Sequence, residues 1–192
     1  DLKNWETVFP FFKFITIDGK PNWKGKESIV EELTATIKEG IEVLDQLTEE
    51  GIDAKTIADN LQFSINIGTS YFIEIAKLRA LHLLWANVLK AYKVDVDTVK
   101  IDVAFAPQTQ DENPNKNMIS ATTMAMAAHI GGASRLTVTP SHDNAFGKRI
   151  ARNVQHLLKM ESHFGKVNDP SAGSYYIETL TRKMVEIVWG NL

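Results

Sequence analysis

The sequence predicts an α/β fold built on a parallel sheet. Runs rich in β-branched and aromatic residues recur four times along the 192 residues. Each run is followed by apolar residues at helical spacing, and turn residues such as glycine and proline separate the two patterns. Parallel neighbouring strands need long crossover connections, which intervening helices supply. We therefore expect four consecutive βα units in a single region over residues 1–192.

The first unit begins with an aromatic and β-branched run over residues 11–17, which we interpret as a strand ending at the turn 18–21. Ser28, followed three positions later by Glu31, matches a capping box. Apolar residues then recur at helical spacing until Gly51, where the helix is expected to end.

The second unit repeats this pattern. Residues 61–67 form a short apolar run, which predicts a strand. Gly68 opens a turn, and Ser70 is placed to cap the helix that follows. That helix is expected over residues 71–92, because the segment is long and rich in alanine and leucine.

The third and fourth units follow the same order. Residues 99–106 alternate in polarity and predict a strand, which a polar loop joins to a helix over 118–130 that ends at Gly131. The fourth unit is expected to consist of a strand over 135–139 and a helix over 146–162. A last helix is expected over 176–189.

Two closures of such a sheet are compatible with this order. One is an open, doubly wound sheet, and the other is half of a (β/α)8 barrel, which needs about 250 residues when complete. Half a barrel has two open edges. We expect another part of the protein, a partner chain or a second copy to cover them, and because the sequence starts at Asp1 we expect more chain upstream.

Composition narrows the function classes. The formal net charge is −3, and no run of lysine and arginine could follow a nucleic-acid backbone or an anionic membrane. No apolar run reaches the length of a membrane span. The chain has no cysteine, which removes disulfides and thiolate metal sites and suits a reducing cytoplasm. We expect a cytoplasmic protein without nucleic-acid or membrane partners.

Functional residues of parallel α/β folds gather at the carboxyl ends of the strands. Ser141, His142 and Asp143 supply the residue types of a nucleophilic triad, but three adjacent residues point in different directions. We therefore favour capping of the next helix by Ser141 or Asp143 over catalysis. The five histidines show no metal-binding spacing, so no metal site is predicted and packing or surface roles are expected.

Two further strand-end segments contain polar groups. The turn at 68–70 could present backbone N–H groups to a phosphate, although an ordinary βα turn explains it better because a full glycine fingerprint is absent. Gln108 and Thr109 follow the third strand and could hydrogen-bond a ligand carbonyl or amide, or could belong to an ordinary polar loop.

Residues 68–86 follow the pattern "G-x-x-x-F-x-E-I-A-K-x-R-A…L-W-A", and residues 169–181 follow "D-P-x-G-G-S-Y-x-x-E-x-L-T" with Ala172 in place of one glycine. In these stretches the sequence resembles the methylmalonyl-CoA mutase family of coenzyme B12-dependent acyl-CoA mutases. The resemblance runs from about Phe14 to the end of the chain. It implies that the four units are the second half of a (β/α)8 barrel that encloses acyl-CoA, while a separate domain holds the cobalamin.

The resemblance also identifies where this sequence departs from the family. The family motif "I-S-G-Y-H" falls on residues 17–21, so Pro21 stands at the position of the active-site histidine. Proline has no side-chain hydrogen-bond donor. The family arginine and serine that reach CoA fall on Asn60 and Gln62. Only Gln108 and Thr109 keep the residue types of the family loop "Q-T-S-G-W-S-L", so they are the expected substrate- or cofactor-binding residues, and no catalytic residue is expected.

These departures resemble the small subunit of the heterodimeric bacterial mutases. The expected function is that of a non-catalytic subunit, or a fragment of one, in a complex that interconverts succinyl-CoA and methylmalonyl-CoA by a B12 radical rearrangement. Its partner would be the homologous large catalytic subunit. Adenosylcobalamin would belong to the holoenzyme rather than to this chain, because the cobalt-ligating motif "D-x-H-x-x-G" and the cobalamin-binding domain are missing from it.

Two alternatives remain open at this stage. A stand-alone module could bind CoA or a corrinoid without catalysis, and saturable binding by the isolated chain would favour it. An active mutase with an unusual site would show turnover by the purified chain alone.

Overall fold

A computed structural model describes residues 12–95 and 99–192. Four strands form one sheet in the order β1-β2-β3-β4, with every neighbouring pair parallel. The α/β prediction is confirmed. The strands are β1 (Ile15–Asp18), β2 (Leu61–Ile67), β3 (Lys100–Phe105) and β4 (Arg135–Thr137). The first strand was predicted over residues 11–17 and is observed at Ile15–Asp18, nearer to the turn. Residue 11 lies outside the described part of the chain.

Six α-helices connect and follow the strands within the described residues. They are α1 (Ile29–Glu49), α2 (Ala54–Asn60), α3 (Tyr71–Ala91), α4 (Pro114–Ile130), α5 (Ala145–Met160) and α6 (Tyr175–Asn191). The sequence did not predict α2, which is only seven residues long and too short to show a helical period. Its start carries a local signal, because the Asp53 carboxylate accepts a hydrogen bond from the Thr56 N–H at 3.2 Å.

The sequential strand order selects the barrel type of closure. Right-handed crossovers between strands in simple sequence order place every connecting helix on the same face of the sheet. The helices α1, α3, α4 and α5 accordingly contact one another in chain order. A doubly wound sheet would require a reversal of strand order. The four βα units therefore correspond to part of a (β/α) barrel.

Three predicted helix caps are wrong. The Ser28 hydroxyl donates to the Gly25 carbonyl at 2.9 Å, so it stabilises the preceding turn instead of α1. Ser70 makes no side-chain capping bond to α3.

Neither Ser141 nor Asp143 caps α5. Asn144 does so, because its backbone is extended (φ −140°, ψ 173°) and its side-chain oxygen accepts from the Gly147 N–H at 2.8 Å. Two predicted helix ends are confirmed. Gly51 follows α1 with φ +88°, and Gly131 is the C-cap of α4.

The hydrophobic core lies between the helices and one face of the sheet. Phe63 on β2 and Trp85 on α3 meet edge to face with ring centroids 4.9 Å apart, and both are buried. Gly40 lets α1 approach this pair, because a Cβ there would lie 2.9 Å from Trp85 Cζ3. No helix in the described part of the chain is long and apolar enough to cross a bilayer.

The opposite face of the sheet is polar. Gln62 on β2 donates to the Thr16 hydroxyl of β1 at 2.8 Å and accepts a hydrogen bond from Arg135 of β4. Arg135 also lies 3.9 Å from the Asp102 carboxylate of β3. One network of side chains therefore crosses all four strands on the face that would line the inside of a barrel.

Candidate functional site

A cavity of about 380 Å³ lies beside the carboxyl ends of β2 and β3. Parallel strands bring their carboxyl ends to one edge, so three strand-end loops meet there. Trp23 and Lys26 come from the loop after β1, residues 68–70 from the loop after β2, and residues 108–109 from the loop after β3. We call this space the strand-end cavity.

Gln108 and Thr109 both line the strand-end cavity. They lie in a 3₁₀ turn, Pro107–Thr109, that directly follows β3. The Thr109 hydroxyl donates to the Ala106 carbonyl at 2.6 Å, which fixes the turn. Gln108 is exposed, and its amide is available to a ligand. The fold thus places these two residues at a strand-end cavity, while their binding role stays a prediction.

Pro21 lies in the 3₁₀ turn Lys20–Asn22 after β1. This turn is attached to β2 by backbone and amide contacts, since the Gly19 N–H donates to the Ser64 carbonyl at 2.9 Å and Asn66 Nδ2 donates to the Lys20 carbonyl at 3.2 Å. Pro21 itself is exposed, does not line the cavity and offers no side-chain donor or proton. Hydrogen bonds to β2 hold this turn in place, and Pro21 contributes no side-chain donor or proton to it.

Asn60 and Gln62 lie at the amino end of β2, away from the strand-end cavity. Asn60 is 1% exposed, and its Nδ2 donates to the Thr56 carbonyl at 2.9 Å within α2. Gln62 joins Thr16 to Arg135 through its side-chain amide. Both side chains therefore support the fold through intramolecular hydrogen bonds.

A buried charged cluster beside the cavity was missed from the sequence. Glu32 of α1 and Glu74 and Lys77 of α3 have fully buried side chains, and we call them the buried triad. The Lys77 ammonium donates to Glu32 Oε2 at 3.0 Å and to the Asn66 carbonyl at 2.7 Å. It also lies 2.8 Å from Glu74 Oε2, but without hydrogen-bond geometry.

The buried triad contains two carboxylates and one ammonium, so its formal charges do not balance. Burial raises the pKa of Glu32 to about 7, against the opposing attraction of Lys77. Glu74 adds to the rise through like-charge repulsion. A signal existed in the sequence, because Glu74 and Lys77 are spaced i,i+3 on a helix that is otherwise rich in alanine and leucine.

Ser141, His142 and Asp143 do not form a triad. Ser141 Oγ lies 3.2 Å from His142 Nδ1, but Asp143 pairs instead with Lys148 at 2.8 Å. That hydrogen bond to Lys148 lowers the pKa of the exposed Asp143 carboxyl. Because Asp143 pairs with Lys148 instead of orienting the imidazole, these three residues lack the arrangement that nucleophilic catalysis needs.

The remaining histidines serve packing or lie at the surface, as predicted. A ring nitrogen of His82 lies 3.1 Å from the Gly132 carbonyl, and burial lowers the pKa of His82. His129 meets Phe164 edge to face. Across residues 12–95 and 99–192 no group of three or more His, Cys, Asp or Glu side chains could hold a metal ion.

Two larger clefts, of about 710 and 840 Å³, lie outside the strand-end cavity and share none of its lining residues. The first lies beside Arg79, which is bonded to Asp169 and, at 2.9 Å, to the Ser171 hydroxyl. This clamp attaches the 169–174 loop to α3. The second follows the free edge of β4 and the neighbouring face of α5. Neither cleft includes the predicted binding residues Gln108 and Thr109.

Sequence comparisons extend these observations. The profile of the methylmalonyl-CoA mutase family matches residues 3–192. The chain is 37% identical to the methylmalonyl-CoA mutase small subunit of Porphyromonas gingivalis, 35% to methylmalonyl-CoA mutase of Rhizobium meliloti and 32% to the small subunit of Streptomyces virginiae. Each match covers 94% of this chain. The chain spans only 31%, 27% and 30% of the length of those three relatives.

Proposed function

Because the chain belongs to the methylmalonyl-CoA mutase family, we propose that it acts as a non-catalytic small subunit, or as part of one. Its partner in this proposal is the homologous large mutase subunit, and the complex interconverts succinyl-CoA and methylmalonyl-CoA. The family is B12-dependent, and cobalt–carbon homolysis would start the rearrangement in the partner. Relatives named as small subunits support this assignment.

The observation that carries the proposal is Pro21. The family histidine falls on this position, where the residue present lacks any group that can donate a hydrogen bond to a thioester carbonyl. The strand-end cavity has no histidine in its wall that could take over the role. Absence of the donor at a turn that hydrogen bonds attach to β2 supports a scaffold role for this chain.

The polar network on the sheet face gives independent support. Gln62 falls where the family has a serine that reaches CoA, and here its amide is engaged on both sides by Thr16 and Arg135. A ligand along this face would have to break those hydrogen bonds. We infer that the position is used for holding the strands together rather than for substrate.

The strand-end cavity does not fit adenosylcobalamin. The strand-end cavity is about 380 Å³, at the small end of the range of roughly 300–1,000 Å³ for small-molecule sites, whereas a corrinoid is far larger. No histidine lines it to approach cobalt. We therefore assign the cofactor to the partner subunit and derive no reaction step through it here.

Co-expression with the homologous large subunit tests the proposal. The expected result is a single complex in size-exclusion chromatography that contains both chains. A tagged, unrelated (β/α)8 protein serves as the control for non-specific capture. Separate elution of the two chains at micromolar concentrations would contradict the subunit assignment.

The second candidate is a stand-alone module that binds CoA or a corrinoid without catalysis. It is favoured by one observation, namely that Gln108 and Thr109 line a cavity at the strand ends. Calorimetric titration of the isolated protein with CoA and with adenosylcobalamin separates the candidates. Saturable binding that is lost in Gln108→Ala would support the module, and no heat of binding would support the subunit.

A further inference from the structure

The sheet ends in an edge strand on each side. Within residues 12–95 and 99–192, β1 and β4 each have a neighbouring strand on one side only. Gln155 of α5 donates to the Leu136 carbonyl of β4 at 3.2 Å, so one backbone group of that strand is already engaged by a side chain. Edge strands with free N–H and C=O groups can pair with a further strand. Four parallel strands are half of the eight that close a (β/α)8 barrel.

The helices beside the two edges carry opposite charges. The helix α1, which follows β1, contains six acidic residues and one lysine, and all the acidic residues except Glu32 are exposed. The helix α5, which follows β4, contains four lysines and arginines and no acidic residue. Lys148 pairs with Asp143, whereas Arg152 and Lys159 are exposed and have no ion-pair partner in the described part of the chain. The two ends of the sheet are therefore complementary in charge.

Both helices also carry apolar side chains that the core does not fully cover. Phe146 and Leu157 lie three turns apart on one side of α5, and each is 48% exposed. Val30 and Ile41 are partly buried and lie on the side of α1 opposite to Glu32, which meets α3. An apolar centre with complementary charges around it is the usual composition of a protein interface.

We propose that a second copy of this chain covers both edges, with β4 of each copy beside β1 of the other. A two-fold axis along the barrel then gives eight strands that all run in the same direction. It also places α5 of each copy against α1 of its partner. The basic residues of α5 meet the acidic residues of α1 at both junctions, around contacts of Phe146 and Leu157 with Val30 and Ile41.

Charge favours this arrangement over the other pairings of two copies. Pairing β4 with β4 would bring two basic helices together, and pairing β1 with β1 would bring two acidic helices together. Like charges across an interface are unfavourable. Opposite charges meet only when unlike edges join, and two such junctions close the ring and leave no edge for a third chain.

This inference goes beyond the proposed function, because it concerns the edges of this chain and does not require the large subunit. The two proposals can fail separately. A protein that is monomeric alone and joins only the large subunit would overturn the inference and leave the proposed function intact.

Analytical ultracentrifugation of the intact protein at micromolar concentrations tests the interface. The expected species has twice the mass of one chain. Arg149→Glu with Arg152→Glu should raise the dissociation constant of the dimer at least about tenfold, because like charges then meet at both junctions. Glu42→Arg with Glu49→Arg should do the same from the other side. An equimolar mixture of the two double variants should form dimers again, because each junction then pairs opposite charges.

Arg182→Glu with Lys183→Glu is the matched control, since both side chains are exposed on α6 and outside the two proposed contact faces. It should leave the dissociation constant unchanged, and circular dichroism verifies that every variant is folded. A wild-type protein that stays monomeric at every concentration would overturn the proposal. So would dimers that resist both charge reversals, a mixture that stays monomeric, or an equal loss in the control.

Discussion

Lys77 and Glu32 form a salt bridge of 3.0 Å between two helices, with both side chains fully buried. Glu32 lies on α1 and Lys77 on α3, 45 residues apart in sequence. The ammonium also donates to the Asn66 carbonyl at 2.7 Å, near the carboxyl end of β2. This pair therefore joins two helices and a strand immediately beside the strand-end loops. Its charges make the stability of the junction sensitive to pH and to substitution.

The free energy of unfolding should fall as pH rises from about 5 to 8. The pKa of Glu32 is raised from 4.5 to about 7 by burial, so the folded protein holds a proton that the unfolded chain releases. Stability from this group is complete below the unfolded pKa and is lost as pH rises through the folded one. The expected loss is on the order of 3 kcal/mol.

Urea unfolding at several pH values checks this dependence. Glu32→Gln should flatten the profile, since the titrating group is gone. Glu39→Gln, which removes an exposed carboxylate of the same helix, should leave the slope unchanged. Equal slopes for the wild type and Glu32→Gln would show that Glu32 does not hold the proton.

Lys77→Met should destabilise the protein by about 3–5 kcal/mol, because it leaves two buried carboxylates without their cation. Part of the loss should be recovered at low pH, where Glu32, whose pKa burial raises, is protonated. Lys55→Met is the matched control, since Lys55 pairs with Asp59 at the surface with side-chain exposures of 60% and 42%. That change should cost less than about 1 kcal/mol. Chemical denaturation measures the free energy of unfolding of both variants. Similar losses in Lys77→Met and Lys55→Met would show that the burial of Lys77 does not determine the cost of removing it.

Gln62 and Arg135 should be energetically coupled. A double-mutant cycle with Gln62→Ala and Arg135→Ala should give a coupling free energy of about 0.5–1.5 kcal/mol, the usual range for a hydrogen bond. Gln62→Ala with Lys100→Ala is the comparison cycle. Lys100 is exposed and pairs with Gln62 in the sheet register, but no hydrogen bond between their side chains is found. Coupling of the same size in both cycles would mean that the network is not specific.

Asn144→Ala should destabilise α5 by about 1 kcal/mol, because the Gly147 N–H loses its capping acceptor. Ser141→Ala should change stability by less than about 0.5 kcal/mol, since Ser141 makes no bond to the helix start. Thermal unfolding of the two variants measures the difference. A larger loss of stability in Ser141→Ala than in Asn144→Ala would contradict the assignment of Asn144 as the cap of α5.

The regular elements were predictable because their patterns are long. The helices α1 and α3 each extend over 21 residues, enough for the helical period to appear in the sequence. The helix α2 was missed because seven residues span only two turns. Ser28 was misassigned because a serine hydroxyl can bond to several nearby backbone groups, and the folded turn decides which one it meets.

The candidate site was only partly predictable. Gln108 and Thr109 could be placed at a strand end from the βα order alone. The buried triad could not, because charged side chains are expected at the surface unless a partner is known, and Glu32 meets Lys77 only in the folded protein. The Gln62 network depends on the register of four strands, which local sequence patterns do not determine.

Mutase turnover by this protein alone and with its proposed partner tests the central claim most directly. The conversion of methylmalonyl-CoA to succinyl-CoA would be followed with adenosylcobalamin present, before and after addition of the large subunit. We predict no turnover by this protein alone and turnover by the complex that is unchanged when Gln108 and Thr109 of this chain are both replaced by alanine. Turnover by the purified protein without its partner would contradict the claim that it is a non-catalytic subunit.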